Sequence, residues 1–134
     1  MFMTILLWTA RSGIAQTPDA QPLSADEVKA LMSNATVRTS LPSGGTRSWI
    51  DHADGTFMME FGGGLGGKHG SHHHRVGNWY VDVSGRYCMD VQPTEGEAKD
   101  DLECYFLTPQ ESGYVASHAL APAATHPQFW NVSR

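Results

Sequence analysis

Charge is scarce in this sequence, and positive charge is the scarcer of the two signs. Charged residues make up 17% of the 134 residues, with 9 Lys and Arg against 14 Asp and Glu, so the formal net charge is −5. A nucleic-acid binder usually carries a basic stripe that attracts phosphates. The acidic balance argues against that class, and we expect no nucleic-acid partner.

Long apolar runs are also missing. None of the apolar stretches approaches the roughly 20 residues that a membrane-spanning helix needs, so we expect no membrane span. Hydrophobic residues still make up 40% of the chain, which is enough to build a core. The length suits one domain, because domains cluster around ~100–150 residues.

Motifs that would name a reaction are absent as well. The patterns G-x-S-x-G, H-E-x-x-H and C-x-x-C do not occur. Ser71 stands beside His72, but adjacent side chains rarely face each other productively, and no orienting acid is evident. A phosphate-binding loop would require a hydroxyl residue after Lys68, where His69 stands. We predict no catalytic residue, and a metal-assisted enzyme is only the third hypothesis for function.

The N-terminal segment resembles the end of a secretory signal. An apolar stretch covers residues 2–10, and small residues occupy the −3 and −1 positions of a cleavage site after Ala15. No positive charge precedes the stretch, which a truncated start would explain, and Arg11 interrupts it. We expect residues 1–15 to be a signal peptide, residues 16–22 a linker, and the protein to be periplasmic or secreted. A disordered or core-packed N-terminus is the alternative.

Two cysteines, Cys88 and Cys104, bear on the compartment. They lie in two apolar stretches separated by a polar segment around Gly96, which predicts the two arms of a hairpin. Directly opposed Cβ atoms in such a pair lie ~4.5–5.5 Å apart, close enough for a disulfide. A disulfide would persist only in an oxidising compartment. Two unconnected buried thiols are the alternative.

One short helix is predicted ahead of the strands. Ser24 and Glu27 have the spacing of a capping box. Val28, Leu31 and Met32 then form an apolar stripe at helical spacing. We expect this stripe to lie against the rest of the domain.

The chain after this helix reads as short strands separated by turns. Strands are predicted at residues 35–40, 46–52, 56–61, 76–83, 86–91, 102–108 and 113–118. Such a series of hairpins must avoid open edges, which favours a barrel or a sandwich. We expect an all-β fold, a small antiparallel meander barrel preceded by one short N-terminal α-helix, within a domain covering residues 23–118. Residues 119–134 show no strand pattern and are expected to form a tail, which Phe129 and Trp130 could tether to the barrel wall.

Three short motifs follow the capped helix along the chain. They are formed by Gly77 and Trp79, by Gly85, Arg86 and Cys88, and by Cys104 and Tyr105. Over residues 23–116 this order resembles a family of small exported bacterial proteins with a lipocalin-like β-barrel, catalogued as domain of unknown function 995. The resemblance implies a calycin-type barrel, export and a cystine, but no settled activity.

A cluster of histidines follows a glycine-rich stretch. Residues 62–76 read GGGLGGKHGSHHHRV and contain His69, His72, His73 and His74. Neutral imidazole is a common ligand for Zn²⁺, Cu²⁺ and Ni²⁺, so these four are the candidate metal ligands. A pH-sensitive or anion-attracting loop and a solvated loop without defined function are the alternatives.

Aromatic residues on the predicted strands indicate an apolar interior. Trp49, Phe57, Phe61 and Trp79 are expected in the core, and they would line a ligand pocket if the barrel is open at one end. The leading hypothesis is therefore a periplasmic or secreted module that binds a small apolar or amphipathic ligand. Metal binding or delivery through the histidine cluster is the second hypothesis.

Overall fold

The structure is a computed structural model that describes residues 21–62, 73–93, 101–120, 123–124 and 126–134. The predicted signal peptide, most of the predicted linker and most of the glycine- and histidine-rich segment lie outside these residues. Within them the chain forms one helix followed by eight strands.

The helix, α1 (Ala25–Met32), begins at the predicted capping box. The Ser24 hydroxyl accepts a hydrogen bond from the Glu27 N–H at 3.2 Å, and the Glu27 carboxylate accepts one from the Ser24 N–H at 3.1 Å. These bonds satisfy N–H groups that a helix start leaves unpaired, and they lower the pKa of Glu27. Val28 and Met32, one turn apart, are fully buried, so the helix packs one face onto the domain.

The strands form a closed antiparallel barrel. Each pairs with its neighbours in sequence, and the last returns to pair with the first. The strands are β1 (Thr36–Ser40), β2 (Thr46–Asp51), β3 (Thr56–Gly62), β4 (His73–Val81), β5 (Tyr87–Val91), β6 (Asp101–Gln110), β7 (Gly113–Ser117) and β8 (Gln128–Ser133). The predicted all-β barrel with one short helix is confirmed, and closure pairs both edges of the sheet.

The C-terminal segment is part of the barrel, so the prediction of a tail over residues 119–134 was wrong. β8 pairs with both β1 and β7, and the barrel extends to Ser133 rather than ending at residue 118. The inward positions of β8 are Gln128, Trp130 and Val132, of which only Trp130 is fully buried. The first of these positions is polar, which weakens the apolar–polar alternation typical of a strand. The pairing with β1 joins two segments that are separated by most of the chain. Local pattern therefore does not reveal this strand.

The centre of the barrel is packed with side chains. Trp49 and Trp130 meet edge to face with ring centroids 4.8 Å apart, and Tyr87 and Tyr105 both pack edge-on against Trp130. An eight-stranded barrel is just wide enough for such filling. The core cluster contains Val28, Met32, Val37, Trp49, Phe57, Met59, Tyr87, Met89, Val91, Tyr105, Leu107, Ala116 and Trp130.

The two ends of the barrel differ. At the helix end, where β2 finishes and β3 begins, α1 places Val28 and Met32 in the core. The Leu23 N–H also donates to the Leu107 carbonyl at 2.7 Å, which fixes the approach to the helix. The opposite end, where β2 begins and β3 finishes, is called the mouth below. Gly62, the last residue of β3, and His73, the first residue of β4, both lie there.

The predicted disulfide between Cys88 and Cys104 is confirmed. The two residues are directly opposite in the register of β5 and β6. Their neighbours Tyr87 and Tyr105 point into the core, so the bond lies on the outer side of the wall. It ties two adjacent strands of the barrel together.

Candidate functional site

A pocket of about 260 Å³ lies at the mouth of the barrel. Its lining combines two arginines, two carboxylates and three apolar side chains. These are Arg47, Met59, Phe61, Arg75, Val91, Asp101 and Glu103. All of them occupy inward register positions on β2 to β6, so barrel closure brings together residues that are far apart in sequence. We call this the mouth pocket.

Arg47 lies at the centre of the polar part of the mouth pocket. Its Nη1 donates to Glu103 Oε2 at 3.0 Å, and its Nη2 donates to Gln128 Oε1 at 3.2 Å. The guanidinium carbon lies 5.0 Å from the centroid of the Trp49 ring, a cation–π contact. Arg47 is buried, so these contacts compensate for its lost hydration. Its Nε–H has no acceptor among the described residues.

Tyr105 brings a buried hydroxyl next to this cluster. Burial raises the pKa of Tyr105, and the negative charge of Glu103 raises it further while Arg47 acts in the opposite direction. The hydroxyl therefore keeps its proton at neutral pH. The ring stacks on His118 with centroids 4.4 Å apart, and His118 Nδ1 lies 2.8 Å from the Cys104 carbonyl oxygen.

A second buried polar cluster lies on the same strand at the helix end. Asp51 is fully buried, four residues after Arg47 on the inward face of β2. The Tyr87 hydroxyl lies 2.6 and 2.8 Å from the two Asp51 oxygens, and Trp49 Nε1 donates to the Tyr87 oxygen at 3.1 Å. Burial raises the pKa of Asp51 to about 7, although the hydrogen bond from Tyr87 lowers it. These groups are sealed inside the core, so they organise packing rather than contact a ligand.

The four aromatic residues predicted to line one pocket occupy different places. Trp49 and Phe57 are packed in the core, with 1% and 2% of their surface exposed. Phe61 lines the mouth pocket. Trp79 lines a separate groove at the helix end, beside Lys29, and its indole N–H donates to the His52 carbonyl at 2.8 Å. Phe61 is thus the member of the predicted set that lines the mouth pocket.

The four predicted metal ligands are only partly described. His69 and His72 lie outside the described residues, as does the side chain of His73. In the backbone register His73 pairs with Phe61, and His74 pairs with Glu60 on the outer face. His74 Nδ1 lies 3.5 Å from Glu60 Oε1. Metal binding by this cluster stays a prediction.

One group in the described residues has side-chain atoms close enough together to suggest a metal site. It consists of Asp82, Cys88 and Cys104. The two sulfur atoms are bonded to each other, so they are not free to bind a metal. The Asp82 carboxylate instead accepts a hydrogen bond from Arg86 Nε at 2.8 Å.

The polar residues of the mouth pocket were not predicted from the sequence. One signal for Arg47 was available, because it falls in phase with the buried Trp49 on β2, as Asp51 does. A charged residue at an inward position is costly unless it is paired, and so deserves a functional or structural explanation. Its partners Glu103 and Gln128 could not be found this way, since they lie on β6 and β8.

Comparisons with protein-family models, with curated proteins and with solved structures find no match for this chain. Among the described residues, no helix is both long and apolar enough to cross a membrane.

Proposed function

We propose that this protein is a lipocalin-like module that binds a small amphipathic molecule in the mouth pocket. The observation that carries the proposal is a pocket of about 260 Å³ at one end of a closed, packed barrel. Met59, Phe61 and Val91 supply apolar surface there, while charged side chains supply a few polar contacts. This combination is typical of small-molecule sites.

The size of the mouth pocket favours a small ligand. Pockets for drug-sized molecules have volumes of about 300–1,000 Å³. The mouth pocket is slightly smaller, and the packed core below it, including Trp49 and Trp130, leaves no route deeper into the described part of the barrel. The ligand therefore binds at the mouth and not in the centre.

The proposed module acts outside the cytoplasm, in the periplasm or after secretion. The Cys88–Cys104 disulfide supports this location, because such bonds persist in oxidising compartments. An exported binding module fits both the disulfide and the predicted signal peptide.

Fluorescence titration with N-phenyl-1-naphthylamine, an uncharged amphipathic dye, tests the proposal. We expect saturable binding that Phe61→Glu weakens by roughly tenfold or more, because a carboxylate would be buried against the dye. Tyr80→Glu is the matched control, since Tyr80 lines the groove at the helix end. Circular dichroism verifies that both variants keep the barrel. Absence of saturable binding, or a loss with Tyr80→Glu and none with Phe61→Glu, would refute the proposed site.

A further inference from the structure

Three apolar side chains lie next to one another on the outer wall of the barrel. Ile50 on β2 pairs directly with Met58 on β3, which pairs directly with Val76 on β4. Each is nearly half exposed, at 46%, 48% and 47%. Outward positions on a sheet that faces water are normally polar, and directly opposed side chains on one face touch one another. The three residues therefore form one continuous apolar strip rather than isolated exposed side chains.

Opposite charges lie on either side of β2, one step nearer to the mouth. Arg38 on β1 and Glu60 on β3 both pair with Ser48 on β2, so they stand one strand away from it in opposite directions. Both charged side chains are exposed on the outer face. Ser48 is short, and it lines a small depression together with Arg38, Glu60, Ile50 and Met58. The outer face of β2 is thus flanked by a positive charge on one side and a negative charge on the other.

This arrangement is complementary to itself. Most homodimers have a two-fold axis, which brings the same patch of both copies together. When the axis runs along the outer face of β2, β1 of each copy lies over β3 of the other. Arg38 of one copy then faces Glu60 of the second copy, and the reciprocal pair forms on the other side of the axis. Ile50 lies on the axis and meets Ile50 of the second copy.

We propose that this protein forms a two-fold symmetric homodimer through the outer face of β1, β2 and β3. Contact at Ile50 and Met58 removes exposed apolar surface from water, and the two Arg38–Glu60 ion pairs fix the orientation of the copies. His74 Nδ1 lies 3.5 Å from Glu60 Oε1, and a carboxylate has acceptor sites for both neighbours.

Two further observations bear on what covers this face. An anionic lipid surface fits it less well than a second copy does, because Glu60 stands on the face and the chain has a formal net charge of −5. The mouth pocket is lined by inward positions of the same sheet, so the dimer contact does not use its side chains. The inference is therefore independent of the proposed ligand site.

Sedimentation velocity of the full chain over roughly 1–200 µM tests the dimer, since small interfaces dissociate in this range. We expect the average mass to rise with concentration from one chain toward two. Ile50→Glu places two carboxylates against each other on the axis and should abolish the rise. Leu102→Glu is the matched control and should leave the rise unchanged, because Leu102 is 55% exposed on β6, four strands away from β2. Circular dichroism verifies that both variants keep the barrel.

Charge reversal tests the orientation of the two copies. Arg38→Glu alone brings two carboxylates together at each ion pair, and Glu60→Arg alone brings two guanidinium groups together. Each variant should therefore bind itself at least roughly tenfold more weakly than the parent chain binds itself. An equal mixture of the two variants should dimerise again, because each ion pair then has one charge of each sign.

Three results would overturn the proposal. The first is a parent chain that stays monomeric over the whole concentration range. The second is a dimer that Ile50→Glu leaves intact, or that Ile50→Glu and Leu102→Glu weaken equally, because the interface would then lie elsewhere. The third is a mixture of the two charge-reversed variants that stays monomeric while the parent dimerises, because Arg38 and Glu60 would then not face each other.

Discussion

The helix end and the mouth of the barrel each place one ionisable residue of β2 inside the domain. The two residues differ in the partners that surround them. At the mouth, Arg47 has a carboxylate, an amide and an aromatic face as partners. At the helix end, the side-chain partner of Asp51 within the described residues is the neutral Tyr87 hydroxyl, and the pKa of Asp51 rises to about 7 because of burial.

The two ends also differ in how open they are to solvent. The helix end is sealed by Val28 and Met32, and its buried Asp51 carboxyl is hydrogen-bonded to Tyr87. The mouth keeps a pocket with two arginines and two carboxylates on its wall. The helix end therefore closes the barrel, and the mouth is the end at which we propose that a ligand binds.

The seal at the helix end should produce the largest stability effect. Met32→Ala removes a fully buried side chain and should lower the free energy of unfolding by about 2–5 kcal/mol. Met58→Ala is the matched control, because Met58 is 48% exposed on the outer face and should cost much less. Urea denaturation followed by tryptophan fluorescence measures both. Equal losses would show that α1 does not seal the core.

The buried carboxyl at the helix end should make stability depend on pH. The ordinary pKa of an aspartate carboxyl is 3.8 and the pKa of Asp51 in the folded protein is about 7, so between these values the folded protein binds more protons than the unfolded chain. This contribution to stability is complete below pH ~4 and is lost as pH rises through ~7, and it is at most on the order of 4 kcal/mol. Asp51→Asn should remove it. Urea denaturation midpoints of the parent and of Asp51→Asn, measured across this pH range, test the prediction. A difference in midpoint that stays the same at every pH would contradict it.

The ion pair at the mouth should show strong coupling between its members. Glu103→Leu should cost about 2 kcal/mol, because it leaves the buried Arg47 charge without its carboxylate partner; the partial exposure of Glu103 limits the loss. Arg47→Met combined with Glu103→Leu should recover part of that loss. A double-mutant cycle from denaturation curves measures the coupling. Strictly additive losses would mean that the pair does not act as a unit.

The cap of α1 should have the smallest effect and should separate stability from binding. Ser24→Ala removes one side of the capping box and should cost about 1 kcal/mol. Ser43→Ala, at an exposed turn near the mouth, is the control and should cost little. Thermal denaturation gives the stability change. Dye affinity should stay the same in both variants, and a weaker affinity in Ser24→Ala would link the helix end to the ligand site.

The features that the sequence predicted are those set by near neighbours. The cap needs only residues three apart, and the Cys88–Cys104 pairing follows from one hairpin. β8 was not predicted because its first inward position is polar and because one of its two partners, β1, lies at the other end of the domain. The mouth pocket was not predicted either, because Arg47 and Glu103 are 56 residues apart and meet only when the barrel closes.

Methionine methyl groups allow the most direct test of where the ligand binds. Met59 lines the mouth pocket, Met32 is buried under the helix end, and Met58 lies on the outer face. In a spectrum of protein labelled with ¹³C at the methionine methyl groups, titration with N-phenyl-1-naphthylamine should shift the Met59 signal and leave the Met32 and Met58 signals in place. Shifts at Met32 or Met58 with none at Met59 would contradict a binding site at the mouth.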